Sequence, residues 1–400
     1  MMIKIAHFGD LHASEKTKEE ALKAVEFIFD ECKERDVHAI LNCGDTFDGP
    51  ITLGDKGPVN ELLDLMFSRA QAPQFIIEGT KSHDIPGSID IFEKLGGFQK
   101  QVYLHRTPAS YPLVKTHESP LLNTYVVPAH DLDPGEGTSW GHISFLPALT
   151  KSYLARDITA SPEEMNQMIA EKLRVILSDF GAKAIDSPKP HILMGHFTVA
   201  GSETSTGQVL MGGEIILSPA DIALANADYV AMAHIHKAQK IEPNIYYAGS
   251  PYHLNFGELE EKGFNIVTFD DDGNLADVEF VKNPHARSRQ TIDVRFNPET
   301  RDWDLSEKPH PGADVRIRLY APMHEFSDEI VDQVEATTLE AGVHTIKVEK
   351  IPTPENRVRA ANLSTAQTLR DQLIEYAKVK GIEAPESALL KADQVEEVVN

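Results

Sequence analysis

Short apolar runs that stop at glycine, histidine or aspartate dominate the first 285 residues of the chain. Ile3-Lys4-Ile5-Ala6-His7-Phe8 ends in Gly9-Asp10-Leu11-His12, and Ile40-Leu41-Asn42-Cys43 ends in Gly44-Asp45-Thr46-Phe47-Asp48. Phe75-Ile76-Ile77-Glu78 leads into Gly79-Thr80-Lys81-Ser82-His83-Asp84. Further on, His191-Ile192-Leu193-Met194 leads into Gly195-His196, and Tyr229-Val230-Ala231-Met232 into Ala233-His234-Ile235-His236. Continuous apolar runs of this length read as strands buried on both faces. Between the first two, Ala21, Ala24, Val25, Ile28, Phe29 and Cys32 recur at helical spacing, and Leu62, Leu63, Leu65 and Met66 announce a helix before Phe75. Strand–helix–strand alternation with short links predicts parallel units, their ligand-bearing tips on one rim of one sheet.

Residues 102–150 change character, with strand-like Tyr103-Leu104-His105 and Thr124-Tyr125-Val126-Val127 and a Gly/Pro-rich loop at 133–141. Ser161-Pro162-Glu163-Glu164 supplies an N-cap and an acidic first turn for a long helix. Its face of Met165, Met168, Ile169, Leu173, Ile176, Leu177 and Phe180 reads as core. A helix over 218–226 precedes the last ligand pair, and Asp271-Asp272-Gly273-Asn274 predicts a hairpin turn. Composition turns polar at 283–289, and strand (314–320), helix (327–341) and strand (344–350) follow as a small α+β unit. Thr353-Pro354-Glu355-Asn356 reads as a linker, and 365–380 as an amphipathic helix with Leu369, Leu373, Ile374 and Ala377 on one side. It and the segment 393–399 are too short to form a domain alone, so they are expected to dock on this chain or on a partner.

Composition sharpens this only in part. A chain of 400 residues with 41% hydrophobic and 25% charged residues fits two or three ordinary globular domains. Without a charged-then-apolar leader or an apolar run of membrane-spanning length, a cytoplasmic protein with no membrane segment is expected. The two cysteines, Cys32 and Cys43, fall in a helix and a strand and read as core thiols of a reducing compartment. A net charge of −24 argues against a generic nucleic-acid coat, though a basic groove or bound cations could offset it locally.

In extended chain, Asp10 and His12 face the same way, which suits two ligands on one ion. His234 and His236 alternate alike, and the two oxygens of Asp45 can bridge two ions. Oxygen and imidazole ligands suit Mn²⁺, Zn²⁺ or Fe, and a structural thiolate zinc site lacks its cysteine pairs. Two such ions can clamp a phosphoryl group during in-line displacement while a neighbouring histidine, His83, protonates the leaving oxygen. Any one Asp/His pair among 17 histidines is most simply a satisfied core or turn feature. His7, His130 and His142 are left in that class, Asp48 alone reads as a turn residue and Asp84 as a cap. Five strand ends acquiring ligands together do not fit that reading.

The order Asp-x-His, Gly-Asp-x-x-Asp, His-Asp, Gly-His, His-x-His over residues 1–285 resembles the calcineurin-like metallophosphoesterases. Tyr246-Tyr247-Ala248-Gly249-Ser250-Pro251, with Phe256-Gly257-Glu258 and Lys262-Gly263-Phe264, is similar to the segment after the last metal histidines of SbcD-type DNA repair exonucleases. The resemblance implies an α/β metallophosphoesterase β-sandwich flanked by helices. It implies a dinuclear nuclease domain at 1–285, a DNA-capping α+β domain at 290–352, and a linker with partner-binding helices at 353–400. One ion would take Asp10, His12, Asp45 and His236. The other would take Asp45, His196, His234 and a residue beside His83, with His83, Asp48 and Asp84 as the catalytic set. The family's Gly-Asn-His-Asp is replaced here by Gly-Thr-Lys-Ser-His-Asp, which puts Ser82 in the asparagine ligand's place. That ion is then held by Ser82, by Thr80, or through water.

The expected activity is exonuclease and endonuclease hydrolysis of DNA ends for repair and recombination, with two divalent ions, Mn²⁺ first and Mg²⁺, Fe or Zn²⁺ as alternatives. Expected partners are double-stranded DNA ends, single strands, an SMC-like ATPase and a second copy of the chain. Two other readings stay open: a phosphoesterase for small molecules or phosphoproteins on the same metal core, and a scaffold weakened at Ser82.

Overall fold

The computed structural model describes residues 2–50, 58–85, 87–93, 102–116, 125–128, 138–149, 162–205, 208, 215–297, 300, 302–353 and 368–399. The apolar runs form strands as expected, but they divide between two sheets. One sheet runs in the order Leu275–Lys282, Gly263–Phe269, Ile3–Phe8, Ala39–Asn42, Gln74–Ile77, Val102–His105. Its last four strands are parallel, and Gly263–Phe269 closes against Ile3–Phe8 in antiparallel register, Ile5 opposite Val267. The other sheet runs Gln239–Glu242, Ile245–Tyr247, Tyr229–Ala233, His191–His196, Thr138–Leu146, Ala109–Thr116, Tyr125–Pro128. Here Tyr229–Ala233 lies parallel to His191–His196, with Ala233 beside His196. The expectation of one rim on one sheet is therefore corrected. A run buried on both faces looks the same whichever sheet it joins.

Period-two alternation explains the layers. Ile3, Ile5, Leu41, Phe75 and Ile77 from the first sheet pack with Ile143, Phe145, Ile192, Met194, Tyr229 and Ala231 from the second, forming a buried core between the sheets. On the other face of the first sheet, Ala6, Phe8, Ile40 and Ile76 meet Ala21, Ala24, Val25 and Ile28 of helix Lys18–Glu34 and Leu62 and Met66 of helix Pro58–Ser68. Leu193, Val230 and Met232 of the second sheet meet Ile169, Leu173, Leu177 and Phe180 of helix Pro162–Ala184. The result is a β-sandwich with helices on both outer faces. The Gly/Pro-rich loop expected at 133–141 and His130 fall largely or wholly outside the described residues.

Ser218 caps the short helix Pro219–Ile222 through a capping box with Asp221. Asp270 to Asn274 makes the predicted hairpin turn, with Gly273 at φ 78°. Beyond 288, a four-stranded sheet runs Trp303–Leu305, Arg289–Phe296, Asp314–Ala321, Thr345–Pro352, with helix Asp328–Glu340 between the last two strands in sequence. Two compact units emerge from the packing: 1–292 with 307–317 and 336–347, and 293–306 with 318–335 and 348–400. In the second unit, helix Leu369–Val379 is capped by Thr368 and pairs with helix Glu386–Val399, longer than the 393–399 segment read from sequence. Arg370 bonds Asp393 at 2.5 Å between them. Tyr376, Val379, Ile382, Leu390 and Val395 remain exposed on this pair.

Candidate metal centre

The polypeptide reaches the site through unusual backbone. Asp10 (φ 52°), His12 (φ 46°), Asp45 (φ 50°) and His234 (φ 92°) all sit in the left-handed region, which costs non-glycine residues energy and is retained chiefly where surroundings or function demand it. Here the loops over-determine it. Asp10 N donates to Gly44 O at 2.9 Å, His12 N to Asp45 O at 2.9 Å and Ala13 N to Thr46 O at 2.9 Å, lacing the first loop onto the second. Asn42 braces the turn from below, its Oδ1 accepting from Gly44 N at 3.2 Å and its Nδ2 donating to Thr46 Oγ1 at 3.0 Å. Across the sandwich, His234 N donates to both oxygens of Asp10, at 2.9 and 3.0 Å.

Three ligand clusters result, each with ligand atoms within 4.8 Å of one another: Asp10, His12 and His236; Asp45, His196 and His234; and, at the rim, His12 again with Asp48 and His83. Asp45 stands between the first two: its Oδ2 lies 3.8 Å from His12 Nε2 and 3.2 Å from His196 Nε2. His196 Nδ1 donates to Cys43 O at 2.8 Å, which in the neutral ring leaves Nε2 as a lone pair directed at a carboxylate oxygen. Among the described residues, Nε2 of His12 and of His196 are buried without a hydrogen-bond partner. A lone pair meeting a carboxylate across such a gap repels it unless positive charge lies between them, and this donor set fits two divalent cations. Without an ion, a proton on His196 is the other way to relieve that repulsion. Burial works against the charge on Asp45, but His196 and His12 hold its carboxyl well below the usual carboxylate range. Burial likewise opposes a proton on His196, yet Asp45 pushes it up to about 9. For His12 burial prevails, and it is held down at about 4.

The third loop closes the rim. Thr80 N donates to Asp45 Oδ1 at 2.6 Å, and Thr80 Oγ1 lies 3.0 and 3.2 Å from the two Asp45 oxygens. Ser82 is exposed and its hydroxyl donates to Thr80 Oγ1 at 3.3 Å, so the structure brings Thr80 to Asp45 and leaves Ser82 one shell out. His83 stands over His12, ring centroids 4.4 Å apart, with its Nδ1 2.9 Å from Asp48 Oδ1. Burial opposes a charge on His83, but Asp48 and Asp45 raise its pKa, and the His83 hydrogen bond lowers that of Asp48. Asp84 is fully buried, and its two oxygens accept from Phe47 N at 3.0 Å and Gly79 N at 2.8 Å. Burial and the charge of Asp45 push it up to about 7. Its geometry is that of a brace for the second and third loops.

His7 stays apart, bonded to Tyr229 Oη and Met232 O, and His142 to Ser110 and Ser187. Two residues without a role in the sequence reading touch the last ligand turn. Gln208 joins His234 O and His236 N through its amide, at 2.6 and 3.1 Å. Glu258 Oε1 lies 3.2 Å from His236 Nδ1. Burial works against its charge, but His236 and Lys262 hold its carboxyl down at about 2. No spacing rule points to Gln208; Glu258 stood in the Phe256-Gly257-Glu258 stretch of the resemblance, with no role attached to it.

The family model described as calcineurin-like phosphoesterase matches residues 3–238. The SbcD component of the nuclease SbcCD from Escherichia coli strain K12, and that from strain O157:H7, are each 28% identical over 198 residues, 48% of this chain and 48% of theirs. The match thus spans about half the length of these curated relatives. Among solved structures, a dimetal phosphatase from Danio rerio aligns with a TM-score of 0.38 at 9% identity, over 70% of this chain and 96% of that one.

Proposed function

The chain belongs to the calcineurin-like phosphoesterases, and on that premise we propose that it is a dinuclear, Mn²⁺-dependent nuclease acting on DNA ends. The observation that carries the metal part is Asp45, one carboxylate set between two clusters whose histidine nitrogens have no other partner at His12 and His196. Asp10, His12, Asp45 and His236 would hold one ion; Asp45, His196 and His234 would hold the other, with the Thr80 hydroxyl beside the shared carboxylate. When bound, such ions polarise a phosphoryl group and the attacking water. The rest falls to the chain. The backbone amides of the laced loops fix the carboxylates, Asp84 holds the third loop in place, and Asp48 orients His83. With its proton held by Asp48, His83 is the group placed to protonate the leaving oxygen.

DNA as substrate is supported by the likeness to the two nuclease components, with residues 290–352 as the capping domain, 353–400 as linker and docking helices, an SMC-like ATPase as partner and a homodimer as the working form. The net charge of −24 favours the other substrate class, small phosphodiesters or phosphoproteins. The experiment compares Mn²⁺-dependent turnover of linear duplex DNA, single-stranded DNA, a cyclic nucleotide and a bis-nitrophenyl phosphate, with His83→Ala as control. DNA cleavage is expected to fall about 10²–10⁴-fold in the variant at unchanged metal content. Equal release of nucleotide by both proteins removes the nuclease reading, and turnover confined to the small esters replaces it with the alternative.

A further inference from the structure

Glu258 is a buried carboxylate with polar neighbours at both of its oxygens. Oε1 lies 3.2 Å from His236 Nδ1 and accepts from Asn255 Nδ2 at 3.2 Å. Oε2 accepts from Leu254 N at 2.8 Å and forms an ion pair with Lys262 Nζ at 2.8 Å. Both the Glu258 and Lys262 side chains are 0% exposed. Lys262 is itself fixed by His236 O at 3.0 Å, Ser250 Oγ at 2.9 Å and Glu260 Oε1 at 2.8 Å. Ser250 N returns to the same His236 carbonyl at 3.1 Å. Gly249 (φ 71°) allows that return, because a Cβ there would lie 2.7 Å from His236 O. One histidine is thus gripped at its ring by an acid and at its carbonyl by a lysine that also holds the acid.

The surplus is chemical as well as mechanical. Leu254 N and Lys262 can only donate, so Oε2 must accept; with Glu258 ionised, Oε1 accepts too, and Nδ1 of His236 must carry the proton. We infer that Glu258, oriented by Lys262, is a positioning residue that fixes the Nδ1–H tautomer of His236 and so presents Nε2 as the lone pair facing Asp10 and His12. This rests on reading the rim as a two-ion centre. Partners of this kind around metal histidines set ring orientation, tautomer and ligand basicity.

Glu258→Gln separates this role from mere packing. A glutamine has one oxygen, which Leu254 N and Lys262 claim, and its amide hydrogens then turn on His236 Nδ1. The ring must accept there and move its proton to Nε2, the metal-facing atom. Lys262 keeps Glu260, Ser250 and the carbonyl, so the variant retains a partnered cation. A packing role predicts the reverse ranking, with truncation in Glu258→Ala worse than the isosteric change.

The experiment uses the full chain, metal-free and with ¹⁵N-labelled histidine, the His236 signals being assigned by their loss in His236→Asn. Nδ1–H is expected in the wild type and Nε2–H in Glu258→Gln; an unchanged tautomer overturns the inference. Mn²⁺ titration by calorimetry follows on the same samples. The wild type is expected to take two ions, and Glu258→Gln to lose about 10–100-fold in affinity for one of them, with a smaller loss in Glu258→Ala. A loss in Glu258→Ala equal to or greater than that in Glu258→Gln also overturns it. Uptake of fewer than two ions by the wild type defeats the two-ion reading instead, whatever the tautomer.

Discussion

Asp45 owes its place to glycines that let three loops close on it. A Cβ on Gly79 would lie 2.1 Å from both the Asp45 amide nitrogen and its Oδ1, and one on Gly44 (φ 96°) would lie 2.8 Å from His196 Nδ1. Gly79→Ala must therefore push the third loop away from the shared carboxylate. A destabilisation of about 1–3 kcal/mol in denaturant unfolding is expected, together with loss of Mn²⁺ uptake. An alanine variant that binds metal normally would show that the loop adapts. At the rim, Asp48 raises the pKa of His83, so a general acid there stays protonated to higher pH, and activity falls as pH rises through that raised value. Asp48→Asn removes the support and lowers the pKa. The alkaline limb of the kcat profile should move to lower pH; a limb that stays put would assign it to another group.

At the scale of elements, the paired helices Leu369–Val379 and Glu386–Val399 explain part of the apolar face read from sequence and leave part of it open. Of that face Ala377 is buried and Leu373 and Ile374 are half-buried, while Leu369 stays exposed, as do Tyr376, Val379, Leu390 and Val395 outside it. Truncation after Pro354 is expected to leave metal-dependent cleavage of short single strands within about twofold while abolishing co-purification with the proposed ATPase. Retention of the ATPase by the truncated chain would place docking elsewhere. Strand positions were legible because burial on both faces leaves continuous apolar runs, and Asp10, Asp45, His196 and His234 follow from where those runs stop. Which sheet each run joins was not legible, since pairing partners leave no mark in a run buried on both faces. Thr80 and Ser82 could not be separated by spacing either. Their difference is made by Gly79, whose missing side chain lets the following residue, not the third, meet Asp45.

For the whole molecule, the division into two sheets changes what the ligand set means. Asp10, His12 and Asp45 hang from one sheet, His196, His234 and His236 from the other, and the core of Ile5, Leu41, Phe145 and Met194 lies between. Ions held by such a set are cross-links between two layers that otherwise adhere through apolar contact and a few hydrogen bonds, such as those from His234 N to Asp10. The layers then cannot part at this edge without releasing cation, so free metal stabilises the closed sandwich by mass action, about 2.7 kcal/mol at a hundredfold excess over Kd. Amide hydrogens of His191–His196 and Tyr229–Ala233 should exchange with deuterium more slowly as Mn²⁺ is raised, with helices Leu369–Val379 and Glu386–Val399 of the second unit unaffected. Exchange that slows equally everywhere would mean that metal opposes only global unfolding. The same rim that is read as a catalytic centre would thereby act as a clasp, and metal supply would govern how often the two halves of the sandwich breathe.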